Sequence, residues 1–236
     1  MTGGVAARFA QVDTWVFDLD NTLYPAGGDL WPRIDDRITI WLANHSGLDL
    51  MSARALQKYY YRAHGTTLNG LMAEHNIDPA EFLAFVHDID RSDLAPDHAL
   101  AAAIDALPGR KLIFTNGSRA HALNTVEGLG LRGLFEDVFD IVSADFIPKP
   151  AEDTYLKFFR DHRVAPATAA MFEDIVHNLE APRKHGMATT LVVPRLGGGD
   201  HREIWERAVE IPAHVDFVTD DLSGFLRDIV AGPKSG

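Results

Sequence analysis

Residues 12–24 read VDTWVFDLDNTLY, and the fold turns on how this stretch is read. Its apolar side chains fall on both parities (Val12, Trp15, Val16, Phe17, Leu19), the pattern of a strand buried on both faces in a parallel sheet. The run then meets Asp18 and Asp20, with Thr22 two residues further on. Carboxylates at the end of an apolar run are unfavourable unless they do something there. The stretch therefore reads as an inner strand that carries two acids to the rim of a sheet. Pro25, Gly27 and Gly28 break the pattern immediately afterwards.

Outward from this strand, residues 29–107 show only helical periodicity. Trp31, Ile34, Ile38, Trp41 and Leu42 share a helical face that Gly47 terminates. A second helix is expected over 53–63 and a short third one after Thr66 or Thr67. Asp78-Pro79-Ala80-Glu81 is a start signal for a fourth, with Asp as cap and Pro in the first turn. A fifth spans 97–107. Strands return after Pro108-Gly109, at 111–115, within 135–143, and at 169–172, 189–193 and 217–218. Helices are expected after Ser118, from Pro150, and over 222–229. A helix over 203–209 would carry Ile204, Trp205 and Val209. Alternating strands and helices predict an α/β, doubly wound, mostly parallel sheet. The core would comprise 1–24 and 106–236, with an inserted α-helical cap over 25–105.

The totals narrow the function classes. Net charge is -12, from 22 basic and 34 acidic residues, and no Lys/Arg cluster appears, which speaks against a nucleic-acid polymer as partner. The chain has no cysteine, so thiolate metal sites and cysteine nucleophiles are excluded. No apolar run reaches bilayer length and the first residues lack a signal-peptide core, so a cytoplasmic protein without a membrane partner is expected. Monomer and homodimer both remain open. The triple glycine at 197–199 is not a phosphate-binding loop, since no Lys-Ser or Lys-Thr follows.

Ligands of open parallel sheets bind beyond the carboxyl ends of the strands. Four expected strand ends carry polar residues: Asp18 and Asp20; Thr115, Asn116 and Gly117; Lys149; and Glu173 with Asp174. Together they supply a nucleophile candidate, a second acid, a hydroxyl, a cation and a metal-type carboxylate. Phosphoryl transfer needs this set. Two unit charges about 4 Å apart repel by about 4 kcal/mol at an effective dielectric of about 20, so a carboxylate approaching a phosphate needs compensating cations. Lys149 is one. Mg²⁺ is the natural second, held by the hard oxygens of Asp18 and Asp174. Asp20 is placed to protonate a leaving oxygen and later to activate water. The turn at 115–118, opening a helix, offers backbone amides to a phosphate through Asn116 and Gly117.

These residues, in this order, resemble the four motifs of the haloacid dehalogenase-like hydrolase superfamily, and the helical block between the first two resembles its C1-type cap. The resemblance implies Asp18 as a nucleophile that forms an aspartyl-phosphate and Asp20 as general acid/base. Thr115 and Lys149 would hold the phosphoryl group. Mg²⁺ would bind the Asp18 and Asp174 carboxylates and the Asp20 backbone carbonyl. The second aspartate separates the phosphatases of the superfamily from its dehalogenases, which lack it. The fourth motif departs from the commonest form, with Glu173 ahead of Asp174 and Asn178 where many members carry a second Asp. The stretches FDLDNTLYP, YYYRAHGTTLNGL, AEHNID and IFTNGSRAHA are further similar to the pyrimidine 5′-nucleotidase group. That similarity implies a small phosphate ester such as UMP or CMP as substrate, touched by the cap segment 64–71 through His64 and Thr67.

Other readings share part of this evidence. A phosphoglycolate or sugar-phosphate phosphatase would use the same core. A receiver-type signalling domain also combines a phospho-accepting Asp, an acidic pair, a hydroxyl and a lysine, but on separate strands and without an inserted cap. A non-catalytic binding protein would not need Asp18, Asp20, Lys149 and Asp174 together. His121, near the second motif, is a further candidate for substrate contact. The consecutive Tyr59, Tyr60 and Tyr61 point in different directions on a helix, so one packs and another reaches the cleft.

Overall fold

In the computed structural model, which describes residues 7–207 and 210–232, the opening stretch forms strand β1 (Thr14–Phe17), buried at every position. Five more strands follow: β2 (Arg110–Phe114), β3 (Asp137–Phe139), β4 (Ala169–Glu173), β5 (Ala188–Val192) and β6 (Phe217–Thr219). They form one sheet in the order β3-β2-β1-β4-β5-β6, and every pairing is parallel. Phe17 lies level with Ile113 on one side and Phe172 on the other. The order reverses direction between β1 and β4, so the residues after Phe17 and after Phe172 flank the topological switch point, where such sheets bind ligands.

Period-two alternation sends the strand side chains to opposite faces. Trp15, Phe17, Ile113, Ala170 and Phe172 lie on one face with α5 (His98–Asp105), α6 (Arg119–Gly128) and α9 (Leu222–Ala231). Val16, Leu112, Phe114, Phe139, Met171 and Leu191 lie on the other, against Tyr155, Phe158 and Phe159 of α7 (Glu152–Asp161) and Ala181 of α8 (Glu180–Lys184).

The helical block between β1 and β2 divides. Helices α1 (Leu30–Ser46), α2 (Leu50–His64), α3 (Thr67–His75) and α4 (Pro79–Val86) enclose a cluster of their own around Leu42, Tyr60, Leu71 and Phe82, closed by Ile141 from the core. The fifth helix, α5, packs through Leu100, Ala103 and Ile104 onto the sheet and α9. The caps at Thr66, Asp78 and Ser118 agree with the sequence, and Asp49 and Asp97 cap as well, Asp49 starting α2 at Leu50 rather than at 53; each accepts backbone N–H groups at a helix start, an arrangement that contributes about 1 kcal/mol apiece.

Some boundaries differ from the sequence expectation. The strand expected within 135–143 ends at Phe139, because Asp140 accepts hydrogen bonds from Arg119 N, Ser143 N and Ser143 Oγ and turns the chain. Helix α7 begins at Glu152 rather than at Pro150. The helix expected over 203–209 is only a 3₁₀ turn, Ile204–Glu206, in which the Glu203 and Glu206 side chains cap each other's backbone. Val209 lies outside the described residues. Among those described, no helix is long and apolar enough to cross a membrane.

The segment after β5 does not stay on the core. Residues 199–207 run to the cap: Lys58 pairs with Glu203 at 2.7 Å, Tyr61 donates to Glu206, and the Arg62 guanidinium lies over the Trp205 ring. Near its start the strap passes Gly27 so closely that a Cβ there would come within 2.9 Å of Gly199 N.

Candidate active site

The strand ends converge as the topology requires. Lys149 Nζ donates to Asp18 Oδ1 at 2.7 Å, Glu173 Oε2 at 2.7 Å and the Phe114 carbonyl at 2.9 Å. All three side chains are buried. Asn116 fixes the lysine loop from the end of β2: its Oδ1 accepts from Lys149 N at 2.8 Å and its Nδ2 donates to Lys149 O at 3.2 Å. The Asn116 side-chain amide is thus taken up in placing Lys149. The Gly117 N–H is likewise used by Thr115 Oγ1, at 2.9 Å.

Glu173 is an anchor for the lysine. Its Oε1 accepts from Asn178 Nδ2 at 3.0 Å and from Ile175 N at 3.3 Å, and its Oε2 meets Lys149. Both carboxylate oxygens are therefore engaged by the protein. Asp174 differs: its Oδ2 is buried with no partner, while its backbone carbonyl accepts from Arg202 at 2.9 Å. Oxygens of Asp18, Glu173 and Asp174 lie within 4.8 Å of one another.

Three buried carboxyls thus crowd together, and the ammonium of Lys149 bonds two of them, Asp18 and Glu173. Burial and the neighbouring Glu173 push Asp18 up to about 8, although Lys149 pulls the other way. Burial, Glu173 and Asp18 likewise hold Asp174 well above the usual carboxylate range. Burial works against the Lys149 charge, but Asp18 and Glu173 outweigh it and push its pKa up. A hard divalent cation suits this donor set: it offers charge to the acids and a partner to the orphaned Asp174 oxygen. Asp18 and Asp174 are the residues that would hold it.

The thermal consequence has a definite sign. The folded Asp18 carboxyl keeps its proton up to about 8, against an ordinary value of 3.8. The stability this retained proton provides is present below the ordinary value and is lost as pH rises towards 8. A divalent cation held by the deprotonated acids would restore it. The melting-temperature difference between Mg²⁺-loaded and chelated protein is expected to widen from pH 5 to pH 8; a difference that does not change with pH would remove the cation site.

Asp20 occupies other surroundings. Its Oδ1 accepts from Tyr24 Oη at 2.6 Å and lies 2.8 Å from His121 Nε2. Burial opposes its charge, but the bonds from His121 and Tyr24 prevail and hold its carboxyl below the usual range. Two aspartates on one strand end thus carry opposite shifts, and without a cation these run against the expected roles: an attacking carboxylate must be ionised, as Asp18 would become beside a bound cation, and a proton donor must hold a proton.

A cavity of about 150 Å³ lies over these groups, between core and cap. Its wall includes Thr67, as expected, together with Trp31, Ile34, Ile38, Phe82 and Tyr61. His64 is not part of that wall. It faces Glu74 at 3.4 Å and packs edge-on to Tyr60, inside the cap, because its position on α2 turns it towards α3. Tyr60 is buried in the cap and Tyr59 is exposed, so Tyr61 is the tyrosine that reaches the cleft. His121 does not face substrate: it is wholly buried and bonded to Asp20. Sequence reasoning missed Tyr24, Arg91 and the strap residues Arg202 and Glu206. The contacts of Arg91, Arg202 and Glu206 span long separations that leave no short motif, whereas Tyr24 stands four residues after Asp20, inside the opening stretch.

The model of the family described as haloacid dehalogenase-like hydrolase matches residues 12–186. The chain belongs to this hydrolase family. Among curated proteins it is similar to "Phosphate metabolism protein 8" of Saccharomyces cerevisiae, 26% identical over 191 residues, covering 72% of this chain. The chain spans 58% of the length of that relative. Among solved structures, L-2-haloacid dehalogenase from Xanthobacter autotrophicus with chloropropionic acid covalently bound superposes with a TM-score of 0.55 at 19% identity, covering 92% of this chain and 97% of that one. CbbY from Rhodobacter sphaeroides in complex with phosphate gives 0.59 at 17% identity, covering 90% and 95%. At such identities these structures share the Rossmann-like fold of the family.

Proposed function

We propose that the protein is a Mg²⁺-dependent phosphomonoesterase acting through an aspartyl-phosphate on Asp18. The observation that carries this reading is Asp20: a second carboxyl on the same strand end, held by Tyr24 and His121 at the cavity wall. A dehalogenase has no use for such an acid, whereas phosphate-ester cleavage does.

An Asp18 oxygen attacks phosphorus, an O–P bond forms, and the bond to the leaving oxygen breaks. The proton for that oxygen comes from Asp20, which then takes a proton from the water that hydrolyses the intermediate. Lys149 and Thr115 stabilise charge on the phosphoryl oxygens. A cation held by Asp18, Asp174 and the Asp20 carbonyl supplies further charge neutralisation when bound. The cap limits water around the acyl phosphate.

The favoured substrates are pyrimidine nucleoside 5′-monophosphates. The similarity of the four quoted stretches to that group supports this, as does the cavity wall, which sets Trp31, Ile34 and Phe82 beside Thr67. Purified protein with Mg²⁺ is expected to release phosphate from UMP or CMP about tenfold or more faster, in kcat/KM, than from AMP, phosphoglycolate or a hexose phosphate, a difference of about 1.4 kcal/mol in transition-state binding. A flat or reversed ranking leaves the phosphatase and removes the nucleotide assignment.

A further inference from the structure

We propose that Arg91 and His121 are positioning residues that orient the Asp20 carboxyl for proton transfer. This inference rests on the reading of Asp20 as the general acid. Arg91 Nη2 lies 2.9 Å from His121 Nδ1. A guanidinium N–H can only donate, so Nδ1 accepts and the imidazole hydrogen sits on Nε2. Nε2 lies 2.8 Å from Asp20 Oδ1 and donates to it. Tyr24 donates to that same oxygen at 2.6 Å. Oδ1 is thereby filled by two donors, and the transferable proton belongs on Oδ2. That oxygen lies on the Gly117 side of the carboxyl, where a Cβ added to Gly117 would stand 3.6 Å from it.

The remaining contacts brace the chain of donors. Arg91 also donates to the His87 carbonyl at 3.0 Å and the Ile89 carbonyl at 3.1 Å. The His87 ring stacks on His121 with centroids 4.5 Å apart and an interplanar angle of 11°. His87 Nδ1 is 2.9 Å from Ser118 Oγ at the start of α6. The imidazole of His121 therefore has no freedom to turn or to exchange its nitrogens. Arg91 lies on the segment that returns from the cap helix α4 to α5, so the far end of the chain of donors is anchored outside the strand ends.

Leaving-group dependence separates this role from a structural one. An alkoxide leaving group needs the Asp20 proton, whereas a dinitrophenolate departs without it. The quantity to measure is kcat/KM, which reports the steps through leaving-group departure. Arg91→Met and His121→Phe are expected to lower it about 100-fold for an alkyl phosphate and less than about threefold for dinitrophenyl phosphate. His121→Gln, which keeps a donor near the Nε2 position, is expected to recover most of the loss. Nitrogen-15 NMR of the wild-type protein is expected to show the His121 hydrogen on Nε2, and Arg91→Met to mix the tautomers. Equal losses on both esters, or a hydrogen on Nδ1 in the wild type, would overturn the inference. A wild type inert toward both esters overturns the phosphatase reading itself, and this inference with it. The half-buried Arg91 keeps the test open if the fully buried His121→Phe variant does not fold.

Discussion

Asp18→Asn is expected to reduce phosphate release by at least about 10⁴-fold, the scale seen when a nucleophile is deleted. The fold should survive, and in the absence of metal the variant should melt higher than the wild type. Both effects have one origin. Asp18 is buried beside Glu173 and Asp174 with a single ammonium between them, and its carboxyl is pushed up to about 8. An amide of the same shape removes a third acid from that crowd while Glu173 still pairs with Lys149. The gain is on the order of 1 kcal/mol, as when a strained functional group is replaced. Phosphate release and thermal melting of chelated protein check the two halves. Turnover like that of the wild type would refute Asp18 as the attacking group.

Lys149→Met is expected to fail in both respects. Turnover falls because the phosphoryl oxygens lose their fixed cation. Stability falls by about 3–5 kcal/mol, because removing one partner leaves buried charge uncompensated. Here Glu173 loses its cation, and the Asp18 carboxyl and the Phe114 carbonyl each lose a donor. Denaturant unfolding measures the loss, and Mg²⁺ should return part of it by adding a cation to the acid cluster. A variant as stable as the wild type would mean that the ammonium does not offset the acids.

The residues at the strand ends were legible because a parallel sheet brings equivalent ends together whatever their sequence separation. Asp18, Asp20, Thr115 and Asp174 needed only the strand pattern and the chemistry of their side chains, whereas Lys149, expected at a strand end, stands on the loop between Phe139 and Glu152 and reaches the site by the path of that loop. The fold was legible for the same reason: two-sided apolar strands alternating with capped helices allow few arrangements. The cap was harder. His64 and Thr67 are neighbours in sequence, yet only Thr67 lines the cavity, because helix orientation depends on packing that no short pattern encodes. Tyr61 could be narrowed to one of three tyrosines but not chosen among them. The contact of Asp20 with His121 spans 101 residues and that of His121 with Arg91 spans 30, so neither left a motif. Asn116 lines the cavity, but its side-chain partner, the Lys149 backbone, is a matter of loop path.

The strap over 199–207 bears on how the cavity admits a substrate. The cap helices join the core through two chain crossings, one before α1 and one after α4. A body attached at two points keeps one easy rotation, about the line between them. The Lys58–Glu203 and Tyr61–Glu206 contacts add a polar attachment to these crossings and to the packing of Ile141 in the cap cluster. Lys58, Tyr61, Glu203 and Glu206 also line the cavity, so the place where the strap joins the cap is part of the wall that a ligand would meet.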